Sequence, residues 1–201
     1  KRLSKYYHIY MVDYYGHGKS SHNKEKYNLI SIGNDIIQFI ENVIGDEVSV
    51  VGHSSGGLIA AYIAANCGKC QKLFLEDPPF FSGWGEIRYN TYNYKDLSSV
   101  CHSFIEQEEE TDFVYYYFIH QYCWNFFPEN ARENLKKKLG VFALKYRTKY
   151  PDKNLKVRFW PDKFLQAFKG LQHYDPYFGE AFYNDSFNYN VDYQKMLTQI
   201  K

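Results

Sequence analysis

Apolar and polar positions change rhythm several times along this chain of 201 residues. Tyr7 to Asp13 (YHIYMVD) is a run of aromatic and β-branched side chains closed by Gly16-His17-Gly18, the pattern of a strand entering a turn. From Leu29 to Ile44 the apolar positions Ile32, Ile36, Ile37, Phe39, Ile40, Val43 and Ile44 recur at helical spacing. Gly45 follows as a residue suited to a left-handed helix end. Glu47 to Val51 is nearly continuous in apolar residues, as in a strand covered on both faces. Leu58 to Ala65 (LIAAYIAA) predicts a helix whose small residues allow close packing on a sheet. Lys72 to Glu76 predicts a third strand, ended by Asp77-Pro78-Pro79. Strands separated by helices imply parallel pairing through right-handed crossovers, hence an α/β architecture.

After Pro79 the rhythm becomes helical. Asp112 to Trp124 and Ala131 to Tyr150 are the clearest helices, the second with Leu135, Leu139, Phe142, Ala143, Tyr146 and Tyr150 on one face. Glu106 to Glu110 and Lys136 to Lys138 read as solvated helix faces. No strand is predicted between residues 80 and 190, and no internal repeat occurs. This stretch is expected to be a helical insertion between sheet strands.

Composition narrows the partners. With 45% hydrophobic and 20% aromatic residues the chain can build a sizeable core, which excludes intrinsic disorder. A net charge of +1 offers no electrostatic case for nucleic acid or a membrane surface. No apolar run reaches the ~18 residues of a spanning helix. Cys67, Cys70, Cys101 and Cys123 are too scattered for a disulfide framework. Cys67-x-x-Cys70 lacks the second ligand pair that a zinc site wants, so it reads as two reduced cysteines in a surface loop. No metal or cofactor is expected, and the cytoplasm is the expected compartment.

One motif bears chemistry. Gly52-His53-Ser54-Ser55-Gly56 fits G-x-S-x-G, directly after an apolar strand and directly before a small-residue helix. In that setting a sharp turn lifts the serine hydroxyl clear of the sheet, making Ser54 the candidate nucleophile. Gly52 and Gly56 are expected to be bare because side chains there would collide, and Gly57 extends the tolerance. The backbone N–H of Ser55, at the helix N-terminus, is the candidate oxyanion donor. His53 is expected to pack rather than to act as base, since a side chain adjacent in sequence points away from the nucleophile. The competing reading of Ser54 is an ordinary small residue in a tight turn.

Asp13-Tyr14-Tyr15-Gly16-His17-Gly18-Lys19-Ser20, then Val50-Val51-Gly52-His53-Ser54-Ser55-Gly56-Gly57, then Leu75-Glu76-Asp77-Pro78-Pro79 together resemble the α/β-hydrolase fold superfamily, in its capped, esterase-like branch. The stretches Tyr174-Asp175-Pro176, Ala181 and Asp192 to Lys201 resemble more loosely the segment that closes the cap. The resemblance implies a partial core over residues 1–79, a helical, aromatic-rich cap over 80–190 and a return segment over 191–201. It also implies that core strands at both ends, a His-Gly oxyanion loop, the usual catalytic acid and the catalytic histidine all lie outside these residues. The fragment alone is therefore expected to be inactive. Within the chain, Asp77 is the candidate acid by fold-level analogy and His173 the least implausible base. His17, His102 and His120 are expected to be structural.

Pockets in such folds open at the carboxyl ends of strands, the edge that bears Ser54. Phe80, Phe81 and Trp84 leave the third strand there and are the candidate substrate contacts. Trp124, Phe126, Phe127, Trp160, Phe164 and Phe168 are candidates to cover it from the cap. That lining suits a small apolar or aromatic substrate. A serine nucleophile points to ester, thioester or amide hydrolysis through an acyl-enzyme and disfavours epoxide or halide chemistry, which uses an aspartate there in the family. Carbon–carbon bond hydrolysis, or a ligand-binding protein without catalysis, are the alternatives.

Overall fold

A computed structural model describes residues 2–83, 85–108, 113–138, 170–171 and 173–200. Its first long element, α1, is Leu29–Phe39, started by Asn28, whose side chain accepts the Ser31 N–H at 2.8 Å. Leu29, Ile32 and Ile37 are buried, following the predicted face. The last turn widens into a π-helical segment, Ile40–Ile44, and Gly45 ends it at φ 73°, its N–H on the Ile40 carbonyl at 2.8 Å. That left-handed end is the role expected of Gly45.

Strands β1 (Val48–His53) and β2 (Cys70–Glu76) pair in parallel, with Val50 opposite Leu73 and His53 opposite Glu76. Helix α2 (Ser55–Asn66) crosses between them and is buried along Leu58–Ala61 and at Ile63, packed against both α1 and the sheet. The α1–α2 approach is close enough that a Cβ at Gly33 would sit 2.7 Å from Cε1 of Tyr62. This is the parallel, helix-connected core that the alternation predicts.

Helices dominate the remainder. These are α3 (Gly85–Arg88), α4 (Ser99–Glu106), α5 (Phe113–His120), α6 (129–138), α7 (Pro176–Tyr183) and α8 (Tyr193–Thr198). Helix α4 packs on α5 and α7, and α8 returns to α2. One buried cluster joins Leu29, Ile32, Leu58, Phe178, Phe187 and Tyr193, so chain segments more than 160 residues apart share a core. Among the described residues no strand follows Glu76.

Several expectations are corrected. Residues 8–14 run without a ladder partner among the described residues, so the first predicted strand is not one. Its alternation of aromatic and β-branched residues is a disposition that only a neighbouring edge can convert into a strand. Instead Tyr10 sets its edge against Phe39 at 5.8 Å, and Met11 is 93% exposed. The strand at 48–53 is not covered on both faces. Val51 and the Phe74 opposite it are 72% and 57% exposed, because the described helices cover one face of the sheet. Cys67 and Cys70 do not form a surface loop. Cys67 is buried at the end of α2 and its carbonyl takes the Cys70 N–H at 3.1 Å, a tight turn into β2.

The predicted helix 112–124 divides. Gln121 turns extended (ψ 139°), and a 3-10 turn, Tyr122–Phe126, follows, steadied by the Cys123 N–H donating to buried Asp96 at 3.2 Å. Glu109, Glu110 and residues 139–150 of the second predicted helix lie outside the described residues, as do Trp84, Trp160, Phe164 and Phe168.

Candidate active site

Ser54 stands between β1 and α2 at φ 52°, ψ −124°, a conformation that costs a side-chain-bearing residue free energy. Two backbone bonds over-determine it. The Ser54 N–H still donates to the Glu76 carbonyl at 2.9 Å, as a strand residue does, while the Ser54 carbonyl already accepts the Gly57 N–H at 2.8 Å, as a helix residue does. One residue thus belongs to both sheet and helix, and the chain must turn sharply on it.

The turn leaves no room in two places. A Cβ at Gly52 would overlap the Gly56 carbonyl and lie 2.8 Å from Cβ of Ala60, and one at Gly57 would lie 2.8 Å from Cβ of Pro78. At Gly56 a Cβ would meet nothing within 4 Å. The need for bare residues therefore falls on Gly52 and Gly57, not on Gly52 and Gly56. It is the carbonyl of Gly56, rather than a side chain there, that presses on Gly52. The Ser55 N–H opens α2, where the helix dipole favours an anion.

The loop 13–21 lies beside the turn. Gly16 and Gly18 adopt φ 78° and 56°, and a Cβ on Gly18 would overlap the Asp13 carboxylate. Only glycine combines that handedness with that closeness. Tyr14 reaches from this loop to Ser55, its hydroxyl 3.1 Å from Ser55 Oγ, and burial raises its pKa. His17 packs between Tyr14 (4.3 Å), Phe178 (4.6 Å) and Tyr174 (5.1 Å), with Nδ1 3.1 Å from the Tyr15 carbonyl. Burial lowers its pKa, so the neutral ring is the form that packs.

Asp175 is the residue that sequence reasoning quoted without seeing its role. Its N–H donates to the Gly16 carbonyl at 2.8 Å, and its carboxylate accepts from the Tyr27 hydroxyl at 2.5 Å and from the Tyr177 N–H at 3.0 Å. The carboxylate thereby caps α7 and holds Tyr27, 148 residues away, while the backbone N–H of the same residue ties down the glycine loop. The Asp-Pro pair heading a helix carries the capping signal; nothing local carries the partnership with Tyr27.

Asp77 ends β2 at φ 47° and is exposed. Since His53 pairs with Glu76, Ser54 and Asp77 follow at the same edge of neighbouring strands, each at a positive φ. Phe80 sets its ring against the edge of Tyr193 at 5.6 Å on the core side, while Phe81 is 53% exposed. His173 is exposed in a turn ahead of α7, and among the described residues no hydrogen bond links it to Ser54 or Asp77. His53 is exposed rather than packed, because the last residue of β1 points to the uncovered side. His102 stacks on Tyr183 at 3.9 Å and pairs with Glu180 at 3.1 Å; His120 stacks on Tyr116. The structure thus brings Ser54, Ser55 and Asp77 to one edge, with His53 exposed beside Ser54 and His17 packed behind Tyr14, while His102 and His120 are engaged with other partners. Among the described residues no group of three or more His, Cys, Asp or Glu side chains could hold a metal ion. None of their helices is long and apolar enough to cross a membrane.

A parallel sheet with a crossover helix begun on a strained serine defines a class of α/β protein built around a strand–turn–helix elbow. The model of the alpha/beta hydrolase fold family matches residues 1–196, and the chain belongs to that family. It is also 34% identical over 88 residues to a Haemophilus influenzae protein named "Putative esterase/lipase". That match covers 42% of this chain and 30% of the relative.

Proposed function

We propose that Ser54 is the nucleophile of a serine hydrolase that cleaves an ester, thioester or amide of a mainly apolar small molecule. The observation that supports this most is the backbone of Ser54, held at φ 52° by one strand bond and one helix bond. Strain at a chemically reactive residue, over-determined by its surroundings, is characteristic of functional positions. In the proposed reaction Ser54 Oγ attacks the carbonyl carbon and gives its proton to a base. The carbonyl electrons move onto oxygen beside the Ser55 N–H, and the leaving group departs with a proton. Water then releases the acid from the acyl-enzyme and restores the serine. Within these residues Asp77 is the candidate acid and His173 the candidate base, and Phe80, Phe81 and Trp84 are the candidate substrate contacts. Residues 1–79 act as core, 80–190 as cap and 191–201 as the return segment. The esterase/lipase name of the similar protein supports the choice of an acyl substrate.

A fluorophosphonate probe tests the reading on the native full-length protein. Labelling is expected, and Ser54→Ala should abolish it. A folded native protein that stays unlabelled, or a Ser54→Ala variant that still labels, overturns the assignment and favours ligand binding without catalysis. The 201 residues alone are expected to leave a p-nitrophenyl ester unhydrolysed, and robust turnover by them would mean that a histidine within them, His173 first, serves as the base.

A further inference from the structure

The first turn of α2 is poorly held by its own sequence. Ser54 at the N-cap makes no side-chain capping bond, so that ordinary support is missing. Ser55 is followed by two glycines, the residues that least restrain a helix, and Gly56 has open space where a side chain would be. Yet the N–H that an oxyanion would need belongs to this turn, and an oxyanion donor acts only when it is held in place beforehand.

The structure supplies a restraint from elsewhere. Ser55 Oγ and the Tyr14 hydroxyl lie 3.1 Å apart, either able to donate, across 41 residues of chain. Tyr14 is itself anchored, its ring 4.3 Å from His17 and 5.5 Å from Phe178. The loop that carries it is locked in turn by the Asp175 N–H on the Gly16 carbonyl. A rigid loop thus reaches the one hydroxyl in the Ser55-Gly56-Gly57 turn. We propose that Tyr14 is a positioning residue, whose hydroxyl tethers Ser55 and so fixes the backbone N–H of Ser55 where the oxyanion forms. The kinetic consequence rests on the serine-hydrolase reading; the tether itself does not.

Two measurements on the full-length protein separate these. In fluorophosphonate inactivation, Tyr14→Phe and Ser55→Ala should each lower the limiting rate roughly tenfold, the factor that one hydrogen bond corresponds to, with the half-saturating probe concentration unchanged. The double variant should be no slower than either single one, because both remove the same bond. Ser55→Thr restores the hydroxyl and should recover most of the rate lost in Ser55→Ala, which a simple packing role for Ser55 would not predict. In hydrogen exchange, the amides of residues 55–58 should exchange faster in Tyr14→Phe while the melting temperature stays near that of the parent. An unchanged limiting rate in Tyr14→Phe, or a double variant that loses the product of the two single effects, overturns the proposal. If the parent is not labelled at all, the hydrolase reading falls, and exchange then decides the tether: protection at residues 55–58 unaltered by Tyr14→Phe overturns it as well.

Discussion

Around Ser54 the contacts are made by backbone against backbone, whereas beyond residue 85 they are made by rings and by buried charge. At the elbow a single methyl on Gly52 would meet a carbonyl that cannot move without unwinding α2 or breaking the strand pairing. In the helical region Tyr89, Tyr94, Tyr183 and His102 form a chain of ring contacts at 5.1, 5.4 and 3.9 Å, and rings can slide. The same chain therefore holds one region with almost no steric tolerance and another that adapts. Under the proposed hydrolase reading, the nucleophile, which must be placed to within a fraction of an ångström, sits in the first, and the apolar substrate would meet the second.

The sharpest way to break this contrast is Gly52→Ala. Overpacking costs about 1–3 kcal/mol where side chains can yield, and here the obstacle is main chain, so a loss of about 3 kcal/mol or more is expected. Thermal melting should fall by roughly 10 °C for a chain of this size. An unaltered melting temperature would show that the elbow can relax. Next in size is Arg88→Ala in the helical region. Arg88 is buried, pairs with Asp185, and donates Nη2 to the Tyr89 hydroxyl at 3.1 Å. Asp185 keeps 37% exposure, so water recovers part of the loss, and about 2 kcal/mol is expected rather than the full cost of a broken buried pair. Chemical denaturation would measure it, and a near-zero change would mean that the ring contacts alone hold the region.

A smaller effect concerns pH. Burial lowers the His17 pKa below its ordinary value of 6.5. Below pH 6.5 the unfolded chain takes up a proton that the folded ring refuses, so this contribution is complete above pH 6.5 and declines as pH falls toward the folded value. The melting temperature should drop over that window, and His17→Gln should flatten the drop; an identical slope in the variant would remove His17 as its source. The smallest effect, of opposite sign, is Gly56→Ala. Its Cβ enters open space in a helix, and stability should rise by about 0.5–1 kcal/mol. A loss there would show that the steric rule at the elbow extends further than Gly52 and Gly57.

Much of this contrast is legible in local sequence. The α1 face, Gly45 as a left-handed end and the crossover from β1 through α2 to β2 all follow from periodicity and composition, because each is decided within one element. Ser54 was legible for the same reason: strand, turn and helix are consecutive, so the elbow is a local structure. The exposure of His53 and Val51 runs against the sequence reading, since whether a strand residue is covered depends on what lies across the sheet and not on its neighbours in sequence. Tyr14 and Asp175 were visible only as members of motifs, their partners being 41 and 148 residues away.

By itself the sequence determined that this chain builds parallel strands joined by helices and places a serine where one strand turns into a helix. Short-range sterics and hydrophobic periodicity suffice for that, since both act between residues a few positions apart. Only the tertiary structure decided which glycines must be bare, which predicted strand finds no ladder, and how Asp175 and Tyr14 lock the loop 13–21 against the start of α2. Those outcomes depend on contacts across long loops, where many partners are chemically acceptable and packing selects one.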